Sequence, residues 1–524
     1  MSAIITDQLR ILNVNNFINN IAISSNTYYA FIGLPNATDY DSEWDLNPPS
    51  PKDCFDDEND YWDTITALKK INPSDVKRVI RKVTWESGFT YDMYRHDISR
   101  TNLSQPSQAT SLYYSNYYVV NKDYKVYICI HNGTDENNLE GKPSLDEPVF
   151  TDLEPKPAGN SNDGYLWKYL YTISPSDIIK FDGVDYIPVP DNWGEDEATA
   201  TIKLHAETSG QLKNIVIKDS GSNIGPANQV YNRVPIKGDG YGAEATIIID
   251  GESKLDSVII TNGGSGYTYG VVDFASGGVP TTEIGYREPI VDVIIPPKGG
   301  HGYDIYRELG TTRVLVYCRI ENDLQNPDFV LGNQVARFGI VENPQKYGSS
   351  DILNDDKVSA VHALKLIGNI SDGRYEPDSI IMQNVSIGVT AVGRVVSYDE
   401  NTGILKYWQD RTLYGFNYDK TRDYSPQYGY GKVNFTSEPG AGGNTLITGT
   451  ISALEIDTDF GTQSNPGITT VINNRTYSLG QEFQRGISNP EVKKYSGNII
   501  YVDNRPSITR SQNQKEDIKV ILQF

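Results

Sequence analysis

The residue of this sequence best placed for chemistry is His301, in the run Gly299-Gly300-His301-Gly302-Tyr303-Asp304. Glycines on both sides would expose its imidazole, and Asp304 and Glu308 lie near enough along the chain to orient one ring nitrogen. A metal site needs further ligands at a compatible spacing. His96, His131, His205 and His362 stand far apart and no HExxH motif occurs, so a structural loop histidine is expected. The Gly238 to Gly242 turn superficially resembles a dinucleotide loop. Such a loop must lead from a strand into a helix N-terminus, and here a strand follows. No phosphate-cradling Gly-x4-Gly-Lys-Ser/Thr motif is present. Gly264-Ser265-Gly266 is not a GxSxG elbow, because Tyr267 comes next.

The remaining reactive residue types point no further. Cys54, Cys129 and Cys318 are an odd count with no CxxC pair, which supports neither a disulfide framework nor a zinc ribbon. They read as buried thiols of a protein assembled in a reducing cytoplasm. The acidic cluster Asp53 to Asp63 lacks the central Gly and terminal Glu of an EF-hand and reads as the start of a solvated helix. With 68 Asp plus Glu, sequence alone neither finds nor excludes a glycosidase carboxylate pair. No catalytic, cofactor-binding or metal-binding residue is assigned, and no cofactor is implied.

Stacking is the other chemistry on offer. In Asp163-Gly164-Tyr165-Leu166-Trp167-Lys168-Tyr169-Leu170-Tyr171, the residues Tyr165, Trp167, Tyr169 and Tyr171 recur at period two on one face of a strand. Such a stripe could stack sugars or bases, but beyond Lys168 no basic residue interleaves, which fits a half-buried sheet face. The charge agrees. The 524 residues carry 46 Lys plus Arg against 68 Asp plus Glu, a net charge of −22, so phosphate backbones and anionic lipid surfaces are poor partners. No apolar run approaches the length of a membrane span, and no secretory signal precedes the first helix.

The elements that must position these residues are mostly strands. The 36 Tyr, 46 Gly and 27 Pro describe a β-dominated chain with many turns rather than a disordered one. Leu9, Leu12, Phe17, Ile18 and Ile21 suggest an N-terminal helix, and Tyr28 to Leu34 an alternating strand. Asp57 to Ile71 reads as a helix, with acids in its first turn, Lys69 and Lys70 in its last, and Trp62, Ile65 and Leu68 at helical spacing. Tyr113 to Ile130 reads as two strands across Asn121-Lys122-Asp123. From Ala200 to Gly310 a strand-plus-Gly-turn unit repeats: Asn214 to Ile224, Ser257 to Tyr267 and, more loosely, Asp292 to Tyr303. A hairpin is expected at Val392 to Trp408 and a mobile loop at Gly440 to Asn444. Two closing strands, Asn498 to Val502 and Ile518 to Phe524, would flank an Asn504-Arg505-Pro506 turn.

The order of these motifs resembles a known family, the baseplate wedge subunit eight of T-even-type contractile-tailed bacteriophages. The resemblance rests on Gly497 to Ile508 with the closing Ile518 to Phe524, on Asp163 to Leu170 with Tyr186-Ile187-Pro188-Val189-Pro190, and on Asn26 to Gly33 with Trp62 and Thr84-Trp85. A shorter match is Arg337-Phe338-Gly339-Ile340-Val341-Glu342-Asn343-Pro344. It covers residues 1–195, 311–345 and 491–524 and fails between them.

The resemblance implies a mainly β fold, a layered β-sandwich core with a few flanking helices plus two inserted β-rich domains. The boundaries would be 1–199 for the first part of the core, 200–310 for the Gly-rich insertion, 311–345 for the second core part, 346–490 for the second insertion and 491–524 for the closing strands. It also implies a non-enzymatic subunit of the virion's tail baseplate, assembled in the host cytoplasm. Its partners would be itself, as a homodimer, other wedge subunits and tail fibre proteins. The motif-level interaction sites are the stripe Tyr165, Trp167, Tyr169 and Tyr171 and the turn Asn504, Arg505 and Pro506; internal packing is the competing reading of both. The competing function is a tail-associated protein that binds or hydrolyses glycans through the inserted blocks, with Tyr428 and Tyr430 as exposed contacts.

Overall fold

The computed structural model describes residues 3–23, 25–38, 41–206, 210–321, 334–368, 375–414, 431–451, 453–465, 469–472, 475–478, 481–509 and 514–524. Strands account for 39% of it and helices for 12%, so the chain is mainly β. It divides into two compact units: residues 1–16, 77–315 and 521–524, and residues 17–76 and 316–520. Tyr428 and Tyr430 lie outside the described residues.

The first unit has at its centre the antiparallel sheet Tyr118–Val120, Lys125–Asn132 and Tyr165–Thr172. Its core gathers Tyr91, Tyr117, Tyr127, Trp167 and Tyr171 around Ile80, Ile128 and Leu170. The Gly-rich block has a core of its own, built from Val234, Ile236, Ala245, Ile247, Leu255 and Phe274. Four strands run there in the order Leu255–Ser265, Tyr241–Ile249, Val230–Gly238, Gly270–Val272. The first and third copies of the repeat, Asn214–Asp219 and Ile290–Ile294, pair with each other in antiparallel register.

The second unit holds a five-stranded sheet in the order Lys357–Ser359, Ile65–Ile71, Tyr28–Gly33, Gln334–Glu342, Asn498–Thr509. A seven-stranded sheet includes the expected hairpin, Val389–Asp399 with Ile404–Trp408. Its strand Ile404–Trp408 also pairs with His362–Ile367, which closes the sheet into a barrel around Leu364, Val395, Leu405 and Ile447. Closure leaves no free edge at that junction.

Four expectations change. The helix expected over Asp57 to Ile71 ends at Thr64, and Ile65–Ile71 is a strand. Ile65 is extended (φ −60°, ψ 128°), and Tyr28–Gly33 supplies a neighbour whose hydrogen bonds outweigh the helical spacing of Ile65 and Leu68. Asn504, Arg505 and Pro506 form no turn between strands; Asn498–Thr509 is one continuous strand. It lies at a sheet edge, and its register with Gln334–Glu342 slips between Val335 and Arg337, where a proline without an N–H is tolerated. Cys54 is exposed at the start of helix Phe55–Thr64, its Sγ 2.6 Å from Asp57 Oδ2, whereas Cys129 and Cys318 are buried. The Gly440 to Asn444 loop is tied down: Gly440 N donates to Val385 O (2.8 Å) and Asn444 N to Asn384 O (2.9 Å).

Candidate functional site

The aromatic strand sits inside the first unit. Tyr165, Trp167 and Tyr171 are each no more than 2% exposed, and Tyr169 is half-buried. The period-two stripe is interrupted, because the register with Lys125–Asn132 skips Leu170 between Tyr169 and Tyr171. This bulge turns Leu170 into the core as well. Tyr165 stacks on Trp167 with centroids 5.3 Å apart and planes 14° apart, and Tyr91 meets the indole edge-on at 5.8 Å. The Tyr165 hydroxyl donates to Lys142 O (2.7 Å) and accepts from Tyr91 N (2.9 Å). The Tyr171 hydroxyl donates to Pro188 O (3.2 Å). Burial raises both phenols well above the ordinary range, which keeps them neutral donors. The Trp167 indole N–H has no hydrogen-bond partner among the described residues. These rings meet each other and the backbone, an arrangement that fixes a core.

His301 is also buried, contrary to the exposure its flanking glycines suggested. Its Nδ1 lies 2.6 Å from Glu308 Oε1, and Gly302 N donates to Oε2 of the same carboxyl (2.7 Å). Tyr94 packs edge-on to the ring at 4.7 Å, and the Tyr117 hydroxyl donates to the Glu308 backbone carbonyl (2.5 Å). Asp304 does not orient the imidazole; it caps the short helix Ile305–Glu308 by accepting from Arg307 N. The geometry ties a glycine-rich loop to that helix.

In the second unit a buried arginine organises the end of the chain. Arg337 is 2% exposed, with its guanidinium over the rings of Tyr61 (4.9 Å) and Trp44 (5.3 Å). Its Nε donates to Asn504 Oδ1 (2.9 Å) and its Nη1 to the Thr64 hydroxyl. Asn504 Nδ2 donates to Pro49 O (2.8 Å), and Trp44 Nε1 donates to Arg505 O (2.8 Å). Arg505 and Pro506 themselves are exposed. Within the quoted Arg337 to Pro344 match, no spacing rule marks Arg337 as buried; its acceptor lies far along the chain.

A second polar cluster centres on Asp63, which is 2% exposed and accepts from Arg411 and from the Tyr495 hydroxyl. Lys494 Nζ donates to its backbone carbonyl (2.8 Å), and burial pushes that lysine down to about 8. Nearby Asp60 has an Oδ1 with no partner among the described residues, and desolvation pushes its carboxyl up to about 7. Sequence reasoning placed both acids on a solvated helix start and missed the burial of Asp63 and of one carboxyl oxygen of Asp60. Among the described residues, no group of three or more His, Cys, Asp or Glu could hold a metal ion, and no helix is long and apolar enough to cross a membrane.

The fold and these sites thus describe a mainly β protein whose distinctive side chains hold strands and loops together. Residues 3–152 match the family model described as Phage-Gp8: Bacteriophage T4, Gp8. The resemblance to the baseplate wedge subunit eight family is therefore established over that stretch, and it supports a structural role in a phage tail baseplate. No curated protein matches the chain.

Proposed function

We propose that this chain is a structural subunit of a bacteriophage tail baseplate wedge, which forms a homodimer and links neighbouring wedge proteins as the tail assembles and contracts. The observation that carries the reading is the family match over residues 3–152. The use of His301, Trp167 and Arg337 in packing supports it: all three are buried and held by neighbouring side chains. On this reading residues 1–199, 311–345 and 491–524 build a layered β-sandwich core. The blocks 200–310 and 346–490 are insertions into exposed loops, where added length costs little closure entropy. Its partners are a second copy, other wedge subunits and tail fibre proteins; it binds neither nucleic acid nor membrane and works in the virion after assembly in the host cytoplasm. Of the residues singled out for contact, Arg505 and Pro506 are exposed, and Tyr169 and Asn504 are half-buried.

Light scattering on the purified full chain, alone and mixed with the wedge proteins of its phage, tests this. A dimer mass and a larger defined complex are expected. A monomer that binds no wedge protein would overturn the reading, as would release of reducing sugar from host surface polysaccharide.

A further inference from the structure

Two strands of the Gly-rich block run side by side without forming a sheet. Leu212 N donates to Gly263 O (2.8 Å), and Leu255 N donates to Ser220 O (2.9 Å). These two bonds pin Leu212 to Ser220 against Leu255 to Gly263, equal lengths of chain in antiparallel register. Between the pins, no backbone hydrogen bond joins the two segments among the described residues. Asn214–Asp219 pairs only with Ile290–Ile294, on its other side, and Leu255–Ser265 is the edge of its four-stranded sheet. Two facing strand edges are therefore left open.

A groove of roughly 890 Å³ lies along this gap. Its lining joins residues of both strands, Ile217 and Ile260 among them, with residues of the stretch His131 to Leu166. Unpaired strand edges are templates for a further strand, and natural edges are usually blunted by bulges or lysines. Here the register slips at both ends of the edge strand, but the run Ser257 to Ile260 between the slips is regular. That run carries no lysine, and Ile259 is about half exposed.

The charge of the groove selects among occupants. Four carboxylates line it, Asp135, Glu154, Asp163 and Asp256, against a single lysine, Lys213. Lys213 is engaged by Glu154, and Asp135 pairs with Lys142 outside the lining, so two negative charges remain in excess. His131 does not offset them, because burial lowers its affinity for a proton. Asp256 is exposed and has no side-chain hydrogen bond among the described residues. A second copy of this chain, at net charge −22, is a poor electrostatic match for such a groove.

We propose that the gap between Asn214–Asp219 and Leu255–Ser265 is a docking site for a basic, extended segment of another protein, which adds as a strand to the open edge at Ser257 to Ile260. Main-chain hydrogen bonds would supply the register, and lysines on the added strand would answer Asp256 and Asp163. Such docking is independent of whether the chain is a wedge subunit.

The test uses the full chain and a fluorescein-labelled octapeptide of alternating lysine and valine, with a glutamate and valine octapeptide as control. Saturable binding of the lysine peptide that weakens with salt is expected, together with slowed amide exchange confined to residues 255–263. Asp256→Lys, at an exposed position, should weaken binding at least about tenfold while leaving the circular dichroism spectrum unchanged, with Asp256→Asn intermediate. No saturable binding, equal binding of the glutamate peptide, protection elsewhere in the chain, or unchanged affinity in folded Asp256→Lys would each overturn the proposal. Concentration-dependent protection of residues 255–263 without any peptide would overturn it too, by showing that a second copy fills the gap.

Discussion

Arg337 donates from Nε to Oδ1 of Asn504 at 2.9 Å, across the pair formed by strand Gln334–Glu342 and the edge strand Asn498–Thr509. The two are register partners, and the bond reaches a guanidinium already held by Tyr61 and Trp44. The Asn504 amide then passes on to Pro49 O. One asparagine thus joins a buried cation, an edge strand and an N-terminal loop. Here lies the physical content of the Asn504-Arg505-Pro506 motif: its middle residue points outward, and its first residue does the holding.

Asn504→Ala should therefore destabilise the chain by about 1–3 kcal/mol, the cost of leaving a buried donor and a backbone carbonyl without partners. Arg505→Ala, whose side chain is 64% exposed, should stay within about 0.5 kcal/mol of the parent. Urea unfolding of the two variants measures both. Equal effects would mean that the motif does not act through Arg337.

Gly339 explains why this sheet demands a particular sequence at its centre. It faces Phe31 across the Tyr28–Gly33 pair, and a β-carbon there would overlap the Phe31 ring and the Tyr501 carbonyl. Gly339→Ala should cost about 1–3 kcal/mol through overpacking. Trimming the ring in Phe31→Leu, Gly339→Ala should recover only part of that loss, because the Tyr501 obstacle is backbone. Thermal melts of the single and double variants decide the point; full recovery would show that the ring alone excludes the methyl group.

Local chemistry was legible where one element decides its own state. Helix Asp7–Ala22, strand Tyr28–Gly33, strand Tyr165–Thr172 and the Val389–Trp408 hairpin are legible as elements from their apolar and turn residues, although Tyr28–Gly33 is buried on both faces rather than alternating and the Tyr165–Thr172 stripe is interrupted. What stayed hidden depends on partners distant in sequence. Ile65 to Ile71 reads as the last turns of a helix until Tyr28–Gly33 lies beside it and pairs with it as a strand. His301 reads as exposed until Glu308 and Tyr94 close over it. Arg337 and Asp63 look like surface charges, since nothing in a strand or an acidic run announces a buried counterpart hundreds of residues away. The pinned gap in the Gly-rich block is of the same kind: the repeat predicts two similar strands, but not that they meet only at their ends.

Glu308 gives a direct check on the loop that carries His301. Glu308→Ala removes the acceptor for both the imidazole Nδ1 and Gly302 N, and should cost about 1–3 kcal/mol for each group left unsatisfied. Glu308→Gln keeps one carbonyl oxygen and should lose less. His301→Ala should fall between them, since Gly302 keeps its partner. Denaturant midpoints of the three variants test this order; a Gln variant as unstable as the Ala variant would argue that the pair acts through charge alone.

Asp60 makes stability depend on pH in a direction opposite to most carboxylates. Desolvation, reinforced by Asp63 and Asp57 and opposed by Arg411 and Arg337, pushes its carboxyl from 3.8 up to about 7 in the folded chain. Below about pH 4 both folded and unfolded states hold the proton, so the group contributes nothing. As the pH rises from about 4 to about 7, the unfolded chain ionises first and binds fewer protons, and stability falls. Above about pH 7 the full penalty is present. Asp60→Asn removes the ionisable group and should leave stability unchanged near pH 4. It should raise stability by roughly 1–3 kcal/mol at pH 8, a figure already reduced for the side chain's residual exposure. Lys494, pushed down to about 8, titrates at the upper end of this range, so comparison of parent and variant at each pH isolates the carboxyl. Urea midpoints at pH 4, 5.5, 7 and 8 provide the measurement; a gain of the same size at every pH would show that Asp60 acts by size and hydrogen bonding rather than by its proton.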